Sequence, residues 1–194
     1  PADNEHPGVG AQIRVEANQV YSNGVGLSIR GLDPTPIFTV VNNMVAASIT
    51  TSVEMSGAGA ILFAHNTLAG PNHPSTQTST AISVAGPLTT AIVNNIVVSH
   101  GVGITATAEA ILSVSHTLLW GNGADPISGI HALLAPPRFV DPAQLDLHLR
   151  ADSPAIDAGL SLDGDVGLLT DIDGDPRPSG DAEGSAPDIG AHEF

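Results

Sequence analysis

One order of apolar and polar positions recurs along the first two thirds of this chain. An apolar residue is followed, after two intervening positions, by Asn and, after one further intervening position, by an aliphatic residue. The copies are Val15-x-x-Asn18-x-Val20, Val40-x-x-Asn43-x-Val45, Phe63-x-x-Asn66-x-Leu68 and Ile92-x-x-Asn95-x-Val97, with Val114-x-x-Thr117-x-Leu119 carrying Thr instead. The intervals between the polar positions are 25, 23, 29 and 22 residues. Around each copy the apolar residues alternate with a period of two and are rich in Val, Ile and Thr, the pattern of β-strands. Helical repeats run longer, so short strands at this period predict coils of a parallel β-helix. A single coil has no partner for its apolar side; coils stacked about 4.8 Å apart form a continuous core. The residues Asn18, Asn43, Asn66, Asn95 and Thr117 then share one register and form a structural ladder of side-chain hydrogen bonds from coil to coil.

The longest interval contains an insertion. Residues 70–79 are polar, Pro-containing and aperiodic, and read as a loop leaving one coil, a candidate contact surface. Gly24-Val-Gly26 and Gly101-Val-Gly103 lie at similar offsets after their motifs and read as turns into the next strand. A phosphate cradle would need a following helix N-terminus and a cation, and the chain has no lysine. The position before the ladder reads Ala17, Asn42, His65, Asn94 and His116, expected to be a polar exposed edge. Two coils separate His65 from His116, too far for one metal ion whose donors stand about 2 Å away.

Composition narrows the partners. The chain has 194 residues, five Lys+Arg and 20 Asp+Glu, for a net charge of −15. Nucleic acid is excluded as a partner, because phosphate binding needs clustered cations. No apolar run is long enough to insert into a membrane. Cysteine is absent, which removes disulfides and thiolate metal sites. The chain begins at Pro1 without a leader and is read as a processed product or a fragment.

Catalysis on the coils would need paired groups. Their acids are Glu16, Asp33, Glu54 and Glu109. Asp33 and Glu109 share similar offsets but lie three coils apart, about 14 Å, and Glu54 differs from both around the coil. Glycoside hydrolysis uses two carboxyl groups roughly 5–10 Å apart, so no pair is well placed. The expectation is a protein that is not an enzyme. The short hydroxyl runs around Thr78 and Thr105 do not align into the flat ladder of an ice-binding face.

The last third is different in kind. Residues 1–124 carry a net charge of −4 and residues 125–194 one of −11, and the repeat stops at the boundary. Pro-containing turns at Asp125-Pro126, Asp141-Pro142 and Ser153-Pro154 mark irregular chain, expected to cover the end of the solenoid. Five motifs follow in order. They are Arg138-Phe-Val-Asp-Pro142, Leu147-His-Leu149, Asp152-Ser-Pro-Ala-Ile-Asp-Ala-Gly159, Thr170-Asp-Ile-Asp-Gly-Asp-Pro-Arg-Pro178 and Asp188-Ile-Gly-Ala-His-Glu193. Together with the coils they resemble bacterial proteins that combine a right-handed parallel β-helix, of the pectate-lyase-like fold, with a C-terminal choice-of-anchor Q domain. The resemblance implies a secreted or cell-surface protein.

Within these motifs Asp171-x-Asp173-Gly-Asp175 places alternate carboxylates in a Gly turn, which suits a hard, oxygen-seeking cation such as calcium. Position twelve of a helical calcium loop is occupied by Ala182, so this is not an EF-hand; Asp163, Asp165 or Asp181 are candidates to complete another kind of site. The competing reading is a carboxylate-capped turn, with Arg177 paired to one of the aspartates.

The sequence therefore predicts an all-β chain: a right-handed parallel β-helix of about five coils in residues 1–124 and an irregular acidic cap in residues 125–194. The expected function is a non-catalytic, extracellular or cell-surface module, structural or adhesin-like, stacking end to end on itself or contacting a surface glycan. The alternative is a polysaccharide lyase or hydrolase, or a carbohydrate-binding module, on the same fold.

Overall fold

The computed structural model describes residues 12–31, 37–71, 78–162, 170–178 and 186–194. His6, Asp33, His73, Asp163, Asp165, Asp181 and Ala182 lie outside the described residues, as does most of the 70–79 loop.

Each motif copy makes two strands joined by a sharp corner. The first strands are β1 (Gln12–Glu16), β4 (Ile37–Val41), β7 (Gly59–Ala64), β10 (Leu88–Val93) and β13 (Ile111–Ser115), paired in that order in one parallel sheet. The second strands, β2 (Gln19–Tyr21), β5 (Met44–Ala46), β8 (Thr67–Ala69), β11 (Ile96–Val98) and β14 (Leu118–Trp120), stack likewise. A third sheet contains β3 (Val25–Gly31), β6 (Thr51–Gly57), β9 (Thr80–Ala85) and β12 (Val102–Ala106). The molecule is an all-β parallel solenoid of about four turns. Among the described residues the third sheet has four strands, so the expected fifth coil is incomplete. After Trp120 the chain touches the last coil through single bridges, Val102 to Ala124, Ser115 to Ile130 and Leu118 to Leu133, and then leaves the coil path.

Register explains the core. Val40, Phe63 and Ile92 stand opposite one another in the first sheet, as do Val45, Leu68 and Val97 in the second; all six are fully buried. Met55, Ile82 and Ile104 fill the interior from the third sheet. The motif's two apolar positions are thus the inward residues on either side of one corner.

That corner is the left-handed backbone of the residue before the ladder: φ is 54° at Ala17, 54° at Asn42, 51° at His65, 56° at Asn94 and 46° at His116. Asn and His tolerate this region better than most side chains. A second left-handed corner follows the second sheet at Ser22, Ala47, Ser99 and Gly121.

The outer face of the second sheet is also apolar. Met44, Ala46, Ala69, Ile96, Val98 and Leu118 pack against Phe139, Leu147, Leu149, Ala155, Ile189 and Ala191. This corrects the placement of the acidic region. Residues 121–133 run over the last coil, but the remainder lies along the side of the solenoid, because that outward row of apolar residues must be covered. A two-stranded antiparallel ribbon, β15 (Phe139–Asp141) and β16 (Asp146–Leu149), joined by a turn of 3-10 helix at Pro142–Gln144, begins this lateral cap.

Buried His100 is expected to contribute to acid sensitivity of the solenoid. Burial lowers the His100 imidazole to about 4, partly opposed by the Val98 carbonyl, and its Nε2 lies 2.9 Å from Ser52 Oγ. Unfolding returns it to an ordinary value, so the unfolded chain binds the extra proton between about pH 6.5 and 4. Stability contributed by neutral His100 is complete above pH 6.5 and is lost as pH falls toward 4, by roughly 3 kcal/mol. Denaturant titrations across this range, with His100→Asn for comparison, are expected to give a steeper pH slope for the native chain; equal slopes would remove His100 as the cause.

Candidate functional site

The ladder residues form a chain of amides. Asn18 Nδ2 donates to Asn43 Oδ1 (2.9 Å), Asn43 Nδ2 to Asn66 Oδ1 (2.9 Å) and Asn66 Nδ2 to Asn95 Oδ1 (3.0 Å). Each acceptor oxygen also takes the backbone N–H of the preceding ladder residue. Thr117 ends the series with a bond to its own coil, Oγ1 to Ser115 O.

The neighbouring column is not an exposed edge. Asn42, His65 and Asn94 are buried, and they dock the cap. Asn42 Nδ2 donates to Thr170 O. Asn94 clasps Leu160, accepting its N–H and donating to its carbonyl. Because Asn94 Oδ1 is thereby the acceptor, its Nδ2 also donates to His65 Nε2, and the His65 proton sits on Nδ1, facing Asp188 O at 3.1 Å. Burial, reinforced by nearby Arg177, keeps the His65 imidazole well below its ordinary value. His116 is instead stacked on His131, with ring centroids 4.8 Å apart.

The acidic motifs meet in one network. Asp171 is buried, and its two oxygens accept three backbone N–H groups: Oδ1 from Asp173 and Asp175, Oδ2 from Glu193. Asp188 closes the C-terminal turn in the same way, accepting from Asp157 and Phe194. Arg177 pairs with Glu193 (Nη1 to Oε2, 2.5 Å), not with an aspartate of the turn. Its other donor reaches Gly190 O and Asn42 Oδ1. Burial pushes the Glu193 carboxyl up to about 7, although Arg177 pulls the other way. Gly190, at φ 108°, leaves no room for a side chain, since a Cβ there would lie 2.7 Å from Ile96 Cδ1. The motif residues Asp171, Arg177, Asp188, Gly190 and Glu193 therefore fasten the cap to itself and to the coils.

Donor atoms of Asp171, Asp173 and His192 lie within 4.8 Å of one another, whereas Asp175 does not belong to this group. Beside them, His148 is held between two carboxylates: Nδ1 is 2.5 Å from Asp146 Oδ1 and Nε2 is 3.0 Å from Asp173 Oδ2. Partial burial lowers the His148 imidazole, but the two carboxylates outweigh it and the net shift is upward. His192 meets the His148 ring edge to face at 4.9 Å and accepts the Leu149 N–H at Nδ1 (3.2 Å). Spacing along the chain pointed to Asp171, Asp173 and Asp175; the fold brings His192, from another motif, beside Asp171 and Asp173, with His148 against Asp173. Imidazole nitrogen favours zinc-class ions over calcium.

A cavity of about 290 Å³ opens where the second sheet meets the ribbon. Its floor includes Ala46, Ala69 and Val98, its roof Pro137, Phe139 and Leu147. Trp120, which shares an outward column with Tyr21, Ala46, Ala69 and Val98, stands 46% exposed at this cavity. The sequence carried a signal for this feature: Trp120 follows an inward leucine, so the indole must point outward. The described coil acids remain dispersed. Glu16 pairs with Arg14, Glu54 aligns with Ser28 and Ser83, and Glu109 lies in the turn before β13. Among the described residues no helix is long and apolar enough to cross a membrane.

No protein-family model matches the chain, and no curated protein matches it.

Proposed function

We propose that this chain is a non-catalytic extracellular or cell-surface module, structural or adhesin-like, in which a stiff solenoid presents a contact face. The observation that carries this reading is how the buried polar groups are used. Asn43, Asn66 and Asn95 bind coil to coil, while Asn42, His65, Asn94 and Arg177 bind cap to coil. These buried side chains are engaged in holding the scaffold. The motif resemblance of residues 138–193 to the choice-of-anchor Q domain belongs to the same proposal, with a bacterial surface as its setting. End-to-end self-assembly is its extended form. Among the described residues no strand pairs with the outer edges of β1, β2 and β3, whereas residues 121–133 cover the opposite end.

Scattering and electron microscopy test it. A monomeric rod supports a display module, regular filaments support self-assembly, and a flexible or expanded particle would overturn both.

A second reading is favoured by the cavity: an exposed indole beside a concave apolar surface suits a sugar ring. On a glycan panel with product detection, retention that drops at least tenfold in Trp120→Ala would make this a carbohydrate-binding module. Cleaved product would make it an enzyme and overturn the primary reading.

A further inference from the structure

We infer that His148 and Asp173, supported by Asp146 and His192, form a binding site for a zinc-class divalent cation on the outer side of the cap. The inference does not rest on the adhesin reading. It starts from two atoms that face each other. A neutral imidazole has one N–H and one lone pair. Asp146 Oδ1, 2.5 Å from His148 Nδ1, is a carboxylate and accepts, so the proton of neutral His148 is on Nδ1. The Nε2 lone pair then points at Asp173 Oδ2 across 3.0 Å, and this oxygen is an acceptor too. Two acceptors at that separation repel unless a cation lies between or beside them. A proton on His148 is one such cation; a metal ion shared by both is the other.

The surroundings also suit a metal. A carboxylate on the far nitrogen of a ligating histidine fixes its tautomer and raises its basicity, and Asp146 holds this place for His148. Adjacent donors of a tetrahedral zinc ion, with arms of 2.0–2.1 Å, stand about 3.3 Å apart, close to the His148–Asp173 separation. Asp173 and His192 also belong to the group of donors that lies within 4.8 Å, with Asp171 behind them. His192 joins as third ligand by giving up the long 3.2 Å contact from Leu149 N–H, so its contribution is the weaker one. His148 and Asp173 are each more than a third exposed in their side chains, which leaves the ion a path from solvent. A net charge of −15 raises the cation concentration around the chain. The nitrogen donors set the class: zinc, cobalt and nickel accept imidazole with carboxylate, whereas calcium takes oxygen alone.

The test uses the full chain, stripped with chelator and titrated separately with zinc chloride, cobalt(II) chloride and calcium chloride. Retained metal is counted, the visible spectrum of bound cobalt recorded and the Tm measured. One zinc per chain, a Tm raised by several degrees and cobalt bands of low coordination number are expected. His148→Gln and Asp173→Asn, which replace partly exposed side chains, are expected to keep the metal-free Tm and weaken zinc binding at least tenfold. Asp146→Asn is expected to weaken it by a smaller factor. The inference is overturned if no zinc is retained at micromolar concentration, or if His148→Gln and Asp173→Asn retain it equally. It is also overturned if calcium raises the Tm as much as zinc does and Asp175→Asn abolishes that effect, which would return the turn to a calcium role.

Discussion

Replacing Asn66 by alanine is expected to destabilise the solenoid by about 3–5 kcal/mol, the largest effect of any single ladder position. Asn66 occupies the middle of the stack and is fully buried. Its Nδ2 reaches Asn95 Oδ1 and the carbonyls of Val40 and Ala64, and its Oδ1 accepts both the backbone and side-chain N–H of Asn43. Removal strands buried donors and acceptors on two neighbouring coils at once. Asn66→Leu keeps the volume and is expected to lose a similar amount, which separates the missing hydrogen bonds from a simple void. Thr117→Ala removes one bond within a terminal coil and is expected to cost only about 1 kcal/mol. Chemical denaturation of the three variants provides the comparison. A loss below about 1 kcal/mol for both Asn66 variants would show that the backbone ladders carry the stack without the amides.

The second large effect falls on the cap. Arg177→Met is expected to weaken its docking by about 3–5 kcal/mol, because Glu193 is left buried opposite an apolar side chain and Asn42 Oδ1 and Gly190 O lose a donor. Limited proteolysis is expected to cut residues 139–194 first in this variant while the circular dichroism of the coils persists. Adding Glu193→Gln replaces the carboxyl that lost its partner with a neutral amide and is expected to restore part of the protection. Unchanged proteolysis would mean that the apolar contacts of Phe139, Leu147 and Ile189 hold the cap alone. Detachment also uncovers the outer apolar row of the second sheet, so aggregation after cleavage is a further expected readout.

Much of this fold is legible in one dimension because a solenoid is nearly one-dimensional. Each coil contacts its neighbours, so period, strand pattern and ladder register all appear as a repeat along the chain. Val40 and Val45, Phe63 and Leu68, or Ile92 and Val97 mark the inward sides of one corner after another, and the Asn between them marks the stacking column. The role of the residue before it was harder to read. Asn42, His65 and Asn94 look like a polar rim, but their positive φ and their partners in the cap explain them. A clearer signal lay in Ile96-Val-Val98 and Leu118-Leu-Trp120, where apolar residues on both strand faces announce a sheet covered on both sides.

The sequence by itself determined the β-solenoid, the core residues and the ladder, since these depend on spacing that repeats coil by coil. Tertiary structure alone decided where the acidic third goes, which charge Arg177 meets, and which side chains gather around Asp173. Those contacts join residues as far apart as Asn42 and Arg177 or His65 and Asp188. The physical reason is that a repeat fixes only neighbouring coils. A non-repeating segment finds its partners through apolar burial and the pairing of buried polar groups, which no local period encodes.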